Sequence, residues 1–229
     1  MTGLTIRDLH CATDDPALVA RVYAEVLRPS FTLDELSGPA AVEPGEARVL
    51  TVALDAGGAP VAAAVTEIEP VISLLGYLAV SPAARGLGAG GRIMAHLAQS
   101  WRAAGLPFVL AEVHDPRGHV ETEDEHPQAR LRFYGRAGAT VLDVPWVQPA
   151  LAGGERVADM LLLALHRAEP VEVPSGALLT WAQEYFVESE GALPSDRQGL
   201  GLLARIAARD RIPVLPLELW RQVRPLGLG

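Results

Sequence analysis

The stretch RGLGAGGR, residues 85–92, places four glycines within eight residues. Glycine lets a backbone turn with positive φ and approach a ligand closely, and a glycine-rich helix start is a common cradle for phosphate. A helix is predicted over 89–104, because apolar residues recur at helical spacing from Ile93 to Trp101. Three interpretations follow: a dinucleotide-binding turn, a coenzyme A pyrophosphate loop, or a plain turn.

The dinucleotide interpretation rests on Gly86, Gly88 and Gly91, which fit the pattern G-x-G-x-x-G, with Glu112 where a ribose-binding acid would stand. That fingerprint needs its first glycine close to the end of a strand. Here the residues SPAAR separate the predicted strand end at Val80 from Gly86. The spacing therefore disfavours a dinucleotide site.

The coenzyme A interpretation uses those intervening residues. Arg85-x-x-Gly88-x-Gly90, preceded by Val80-Ser81-Pro82, resembles the motif Gln/Arg-x-x-Gly-x-Gly/Ala with which the GNAT superfamily of N-acyltransferases binds acyl-CoA. The segment RFYGRAGA, 132–139, resembles a later family segment, F-Y-x-x-x-G-F, on a helix that carries a tyrosine toward the thiol. The resemblance covers about residues 1–166 and is strongest over 75–140.

Two positions depart from the family pattern. Pro127 stands where the family commonly has asparagine, and Ala139 replaces the usual aromatic residue after Gly138. The loop between Glu112 and Tyr134 is also longer than usual. These departures concern the acceptor of the acyl group more than its donor.

The resemblance implies an α/β (α+β) fold with a mixed, mostly antiparallel central sheet flanked by helices. Residues 1–168 would form the GNAT acyltransferase domain. Residues 169–229, read as amphipathic helices, would form a helical C-terminal extension that packs on this domain or on a partner subunit, as in a homodimer. The element order predicted from periodicity is β-α-β-β-β-α-β-α-β-β before these helices.

The implied activity is transfer of an acetyl group from acetyl-CoA, as co-substrate, to a primary amine by direct transfer in a ternary complex. We expect a small-molecule amine. The alternatives are a protein N-acetyltransferase and a non-catalytic acyl-CoA-binding sensor or interaction module. By resemblance the pantetheine arm pairs with the backbone of one short strand segment and the pyrophosphate lies on the loop; the cofactor-binding residues are Leu78, Ala79, Val80, Arg85, Gly86, Leu87, Gly88, Ala89, Gly90, Gly91 and Arg92.

Three side chains are candidates for the acid–base chemistry. Tyr134 could donate a proton to the departing thiolate, and its alternative role is packing beside Phe133. Glu112, at the end of an apolar strand, could take a proton from the amine, directly or through water, or could be a structural acid. His114 lies on the same strand face by the period of two and is the substitute base.

The loop after this strand carries four candidate metal ligands, His114, Asp115, His119 and His126, but their spacing matches no familiar ligand pattern, so we expect no metal. Its acidic residues could instead attract a cationic amine; they are Glu121, Glu123, Asp124 and Glu125.

Composition narrows the remaining function classes. The 229 residues carry a net charge of −9, and all 19 basic residues are arginine, which argues against general nucleic-acid binding. The apolar runs are too short for a membrane helix, and no signal-peptide pattern is present at the start. A single cysteine, Cys11, excludes an internal disulfide. We therefore expect a cytoplasmic protein.

Overall fold

The computed structural model describes residues 3–32, 35–36, 38–122, 126–151, 153–167 and 172–226. The chain divides into two compact units, Met1–Leu106 and Pro107–Gly229. The predicted domain boundary between 168 and 169 falls inside the second unit and stays a prediction.

The N-terminal unit contains four strands, each pair antiparallel, in the order β1-β2-β3-β4. The strands are β1 (Thr5–Leu9), β2 (Arg48–Leu54), β3 (Pro60–Glu67) and β4 (Ile72–Val80). Its helices are α1 (Pro16–Val22), which continues as a π-helical turn to Leu27, and α2 (Ala89–Ala103). All six elements were predicted.

Helix α1 is capped at its start by Asp15, whose carboxylate accepts a hydrogen bond from the backbone N–H of Leu18 at 3.1 Å. Its apolar side, Leu18 and Val22, joins the buried cluster that lies on β2 and β3. These apolar residues, four positions apart, form the face by which the helix packs on the sheet.

A polar cluster connects α2 to the sheet. The carboxylate of Asp8 on β1 accepts hydrogen bonds from Thr51 Oγ1 at 2.6 Å and Ser100 Oγ at 3.1 Å, and lies 2.9 Å from His96 Nε2. Burial alone would raise the pKa of Asp8, but these hydrogen bonds and the neighbouring imidazole outweigh it and lower that pKa. The cluster fixes the helix that follows the glycine stretch.

The C-terminal unit contains five strands in the order β5-β7-β6-β9-β8, with antiparallel neighbours. They are β5 (Phe108–His114), β6 (Thr140–Gln148), β7 (Val157–Arg167), β8 (Glu172–Pro174) and β9 (Arg211–Pro216). The helices are α3 (Pro127–Arg136), α4 (Ser175–Glu190) and α5 (Arg197–Ala207).

The sequence predicted a helical extension over 169–229, but its described part, from residue 172, also contains the strands β8 and β9. Strand β9 pairs with β6, and β8 pairs with β9. Pro213 and Pro216 make this segment a poor strand by pattern, since proline cannot donate to a ladder. Burial of Ile212 and Val214 on one side of the strand compensates. A 3₁₀ helix over Leu217–Gln222 follows β9.

The predicted fold class, a mostly antiparallel sheet flanked by helices, is confirmed. Among the helices of the described ranges, none combines the length and apolar character that crossing a bilayer requires.

We predict opposite effects for two glycine substitutions in α5. A Cβ at Gly199 would lie 2.2 Å from Pro194 Cβ, so Gly199→Ala should lower the free energy of unfolding by about 2 kcal/mol. At Gly201 the nearest atom is 3.9 Å away, so Gly201→Ala should raise it by about 1 kcal/mol. Urea denaturation measures both. A Gly199→Ala variant as stable as Gly201→Ala would contradict the packing described.

Candidate active site

The glycine stretch links the end of β4 to the start of α2. After Val80 the chain makes one 3₁₀ turn over Pro82–Ala84, and α2 begins at Ala89. Gly86 and Gly88 have φ of 74° and 83°, a conformation that residues with a Cβ rarely adopt. Gly88 stands at the N-cap without a side-chain cap. The first N–H groups of α2 therefore have no partner from a capping side chain.

Gly91 is not explained by the local backbone. Its φ is not positive, and a Cβ built there would meet nothing within 4 Å. Glycine in the first turn of a helix lowers helix stability relative to alanine, so neither packing nor conformation accounts for it. It leaves open space beside the N–H groups of this turn, where an anion benefits from the donors and from the positive end of the helix dipole.

The two arginines at the ends of the stretch are both exposed. Arg85 Nε lies 3.4 Å from the carbonyl oxygen of Val80, and Arg92 donates to the carbonyl oxygen of Leu4 at 3.2 Å. Leu87, between them, is 53% exposed. Guanidinium groups at a helix start add positive charge where a pyrophosphate would lie.

The strand before the stretch carries a bulge. Tyr77 is opposite Val65 and Leu75 is opposite Thr66, so Gly76 is the extra residue on β4. The predicted pantetheine segment, Leu78–Val80, follows this bulge; Ala79 is buried, and its two neighbours are half-buried. Its pairing with β3 occupies one side of the strand.

Glu112, the candidate base on β5, is half-buried, and side chains of β6 and α4 donate hydrogen bonds to it within the C-terminal unit. Trp146 Nε1 donates to one oxygen, while Gln148 Nε2 at 2.7 Å and the Tyr185 hydroxyl at 2.9 Å donate to the other. Donors of this kind stabilise a charged carboxylate. The side chain is therefore both a candidate for proton transfer and a link between β5, β6 and α4.

Two aromatic side chains of α4, Trp181 and Tyr185, also lie near Glu112 and its donors. The Trp146 and Trp181 rings stack with centroids 5.3 Å apart, and the Trp181 and Tyr185 rings lie 5.5 Å apart. The sequence predicted amphipathic helices in this part of the chain but did not connect any of them with Glu112. The spacing of Trp181 and Tyr185, four residues apart on one helix face, was the available signal.

His114, the substitute base, has little exposure, 9%. Its ring stacks on that of His119, with centroids 4.0 Å apart and planes 8° apart. His119 Nε2 in turn lies 2.9 Å from the carbonyl oxygen of Ala158. The two imidazoles are therefore packed together.

Tyr134, the candidate acid on α3, is 7% exposed, and its ring meets that of Phe133 edge-on with centroids 5.2 Å apart. Burial raises the pKa of the Tyr134 phenol to about 12, against a smaller opposite effect of Arg130. The packing role that the sequence allowed is thus present. The raised pKa also keeps the hydroxyl protonated throughout the neutral range.

An ion-pair cluster, which sequence reasoning missed, fixes α4 at its C-terminal end. Arg156 donates to both oxygens of Glu190, at 2.7 and 2.6 Å, and to Asp196 at 2.6 Å. The Arg156 hydrogen bonds, against a smaller effect of burial, lower the pKa of Glu190. Glu190 also accepts the N–H of Ala150. This Arg156 clamp therefore joins the segment between β6 and β7 to α4 and α5.

The acidic loop is only partly described. Glu121 pairs with His126 at 3.0 Å and accepts the N–H of Gln128, whereas Glu123, Asp124 and Glu125 lie outside the described residues. Within those residues no group of three or more His, Cys, Asp or Glu side chains is arranged to hold a metal ion.

Similarity to known proteins is confined to structure. No protein-family model and no curated protein sequence matches the chain. A chain assigned to the GNAT acetyltransferases from Bacteroides thetaiotaomicron superimposes with a TM-score of 0.55 at 21% identity, over 72% of this chain and 89% of its own. The aminoglycoside 6′-N-acetyltransferase from Enterococcus faecium has a TM-score of 0.51 at 15% identity, over 72% and 99%. The chain has the GNAT fold.

Proposed function

We propose that the protein is an N-acetyltransferase that uses acetyl-CoA as co-substrate and acylates a primary amine by direct transfer. The observation that carries this proposal is the glycine-rich start of α2, where no side chain caps the first N–H groups and a Cβ at Gly91 would meet no atom within 4 Å. A pyrophosphate at this position could accept hydrogen bonds from the N–H groups of the first turn and benefit from the helix dipole. The GNAT fold supports the same assignment.

The chain's own residues would supply proton transfer. The thioester provides an activated acyl group and a thiolate leaving group. Tyr134 holds a proton on a buried phenol, with a pKa of about 12, and would give it to that thiolate. Glu112 would accept the proton that an ammonium must lose before the amine can attack, directly or through water. After the C–N bond forms and the C–S bond breaks, the nitrogen would lose its second proton, which restores the Tyr134 phenol.

The acceptor is a primary amine, and a small molecule is our first choice. A half-buried carboxylate with aromatic neighbours, as at Glu112, suits a compact ammonium group better than a long, flexible side chain. An assay that follows thiol release from acetyl-CoA over a panel of amines, protein N-termini included, tests this choice. Tight acetyl-CoA binding without turnover of any amine would instead favour the binding module.

We predict that Gly91→Glu weakens acetyl-CoA binding about tenfold or more, because it places a carboxylate where the pyrophosphate would lie. The fold should tolerate it, since a Cβ there meets no atom within 4 Å and an acidic residue suits a helix start. Calorimetric titration measures the Kd. The matched control is Gln99→Glu, an exposed position later in α2. Equal affinities in the two variants would contradict the pyrophosphate loop.

We predict that Tyr134→Phe lowers kcat about a hundredfold while the Kd for acetyl-CoA stays unchanged, because the proton donor is lost but the loop is intact. Since the pKa is raised, the phenol is protonated below about pH 12, so wild-type kcat should show no loss from this group up to pH 9. Steady-state kinetics with the best amine measure both. Tyr23→Phe is the control, and an unchanged kcat in Tyr134→Phe would leave that residue a packing role only.

We predict that Glu112→Gln lowers kcat about tenfold or more, because the amide cannot take a proton from the amine. Tyr185→Phe, which removes one donor but keeps the carboxylate, should lower kcat less. Thermal unfolding of both variants separates loss of structure from loss of chemistry. If the two variants lose stability equally and neither changes kcat, Glu112 is a structural link.

A further inference from the structure

A cleft of about 420 Å³ lies within the C-terminal unit, where the end of α5 and the last segment of the chain meet β6. Its lining includes three arginines from three separate segments: Arg205 in the last turn of α5, Arg209 between α5 and β9, and Arg224 after the 3₁₀ helix. None of the residues assigned above to acyl transfer lines it. The cleft is therefore a feature that the proposed function does not use.

The charge of this cleft is positive. Arg209 is paired with the carboxylate of Asp143 at 2.8 Å. Arg205 and Arg224 form neither an ion pair nor a hydrogen bond with any residue that the structure describes, and both are exposed. Two exposed arginines that lack an ion-pair partner among the described residues therefore line the cleft.

The sequence around the cleft is also positively charged, although the whole chain has a net charge of −9. Between residues 197 and 226 there are six arginines and two acidic residues, so this segment carries +4 and the rest of the chain carries −13. A local excess of cations in an acidic protein concentrates anions at that place.

The shape and chemistry of the cleft indicate the class of ligand. A guanidinium binds phosphate through two parallel hydrogen bonds, and Gln222 adds an amide donor to the lining. Val144, Pro145 and Leu215 contribute apolar surface. The volume lies within the range of about 300–1,000 Å³ typical of small-molecule sites. A concave site of this size suits a compact ligand better than an extended polyanion.

We propose that this arginine cleft binds a small organic molecule that carries a phosphate or diphosphate group, at a site separate from the acyl donor. Arg205 and Arg224 hold the phosphate oxygens, while Arg209 stays paired with Asp143 in the lining of the cleft. The proposal is independent of the acetyltransferase assignment.

The test is a calorimetric titration of the full chain with pyrophosphate at low salt, in a buffer free of phosphate. It is done in the Gly91→Glu background, so that the glycine-rich loop does not contribute a second site. We expect one saturable site, whose Kd rises about tenfold when Arg205→Gln and Arg224→Gln are combined. Arg102→Gln, an exposed arginine in the last turn of α2, is the matched control and should leave the Kd unchanged.

Two results would overturn the proposal. One is pyrophosphate binding that is absent, or equally strong in the double variant and the control. The other is binding of a single-stranded oligonucleotide of twelve nucleotides without binding of pyrophosphate, which would make the cleft part of a surface that binds extended polyanions. Failure of acetyl transfer in the amine assay would leave these titrations unaffected, so the two proposals fail separately.

Discussion

A half-buried carboxylate requires hydrogen-bond donors, and in the C-terminal unit this requirement falls on Glu112. Its donors come from two elements far apart in sequence, β6 and α4. The requirement therefore makes α4 part of the surroundings of β5 rather than an appendage. The stacked rings of Trp146 and Trp181 give the same connection an apolar component. Removing any one donor leaves charge to be solvated by the others or by water.

In the glycine-rich loop the hydrogen-bond donors are backbone N–H groups, and side chains are absent around them. Glycine at these positions lowers the stability of the helix start, but it keeps the backbone donors accessible. Gly86 and Gly88 are required by their backbone conformation, whereas Gly91 is required by neither conformation nor packing. Departures from local stability of this kind are expected at functional sites.

The sequence was sufficient for the regular elements of the N-terminal unit and for most of the C-terminal unit, because period and capping agree there, as at Asp15. It was insufficient where burial overrides local preference, as in β9 with its two prolines. Periodicity could indicate that α4 buries Trp181 but not what it buries against. The contact of Tyr185 with Glu112 depends on pairing across 73 residues, which a local pattern does not encode. The arginine cleft is hidden for the same reason, since its cations come from separate segments.

The Arg156 clamp has a consequence for how the protein responds to acid. A guanidinium keeps its charge at any ordinary pH, so the clamp fails only when its carboxylates are protonated. The pKa values of Glu190 and Asp196 are both lowered, so the stability they contribute is present above the ordinary carboxyl pKa and is lost as the pH falls through the lowered values. The same helix carries Tyr185. Acidification therefore loosens the C-terminal end of α4. Because Trp181 and Tyr185 lie on the same helix, their contacts with Trp146 and Glu112 weaken as well.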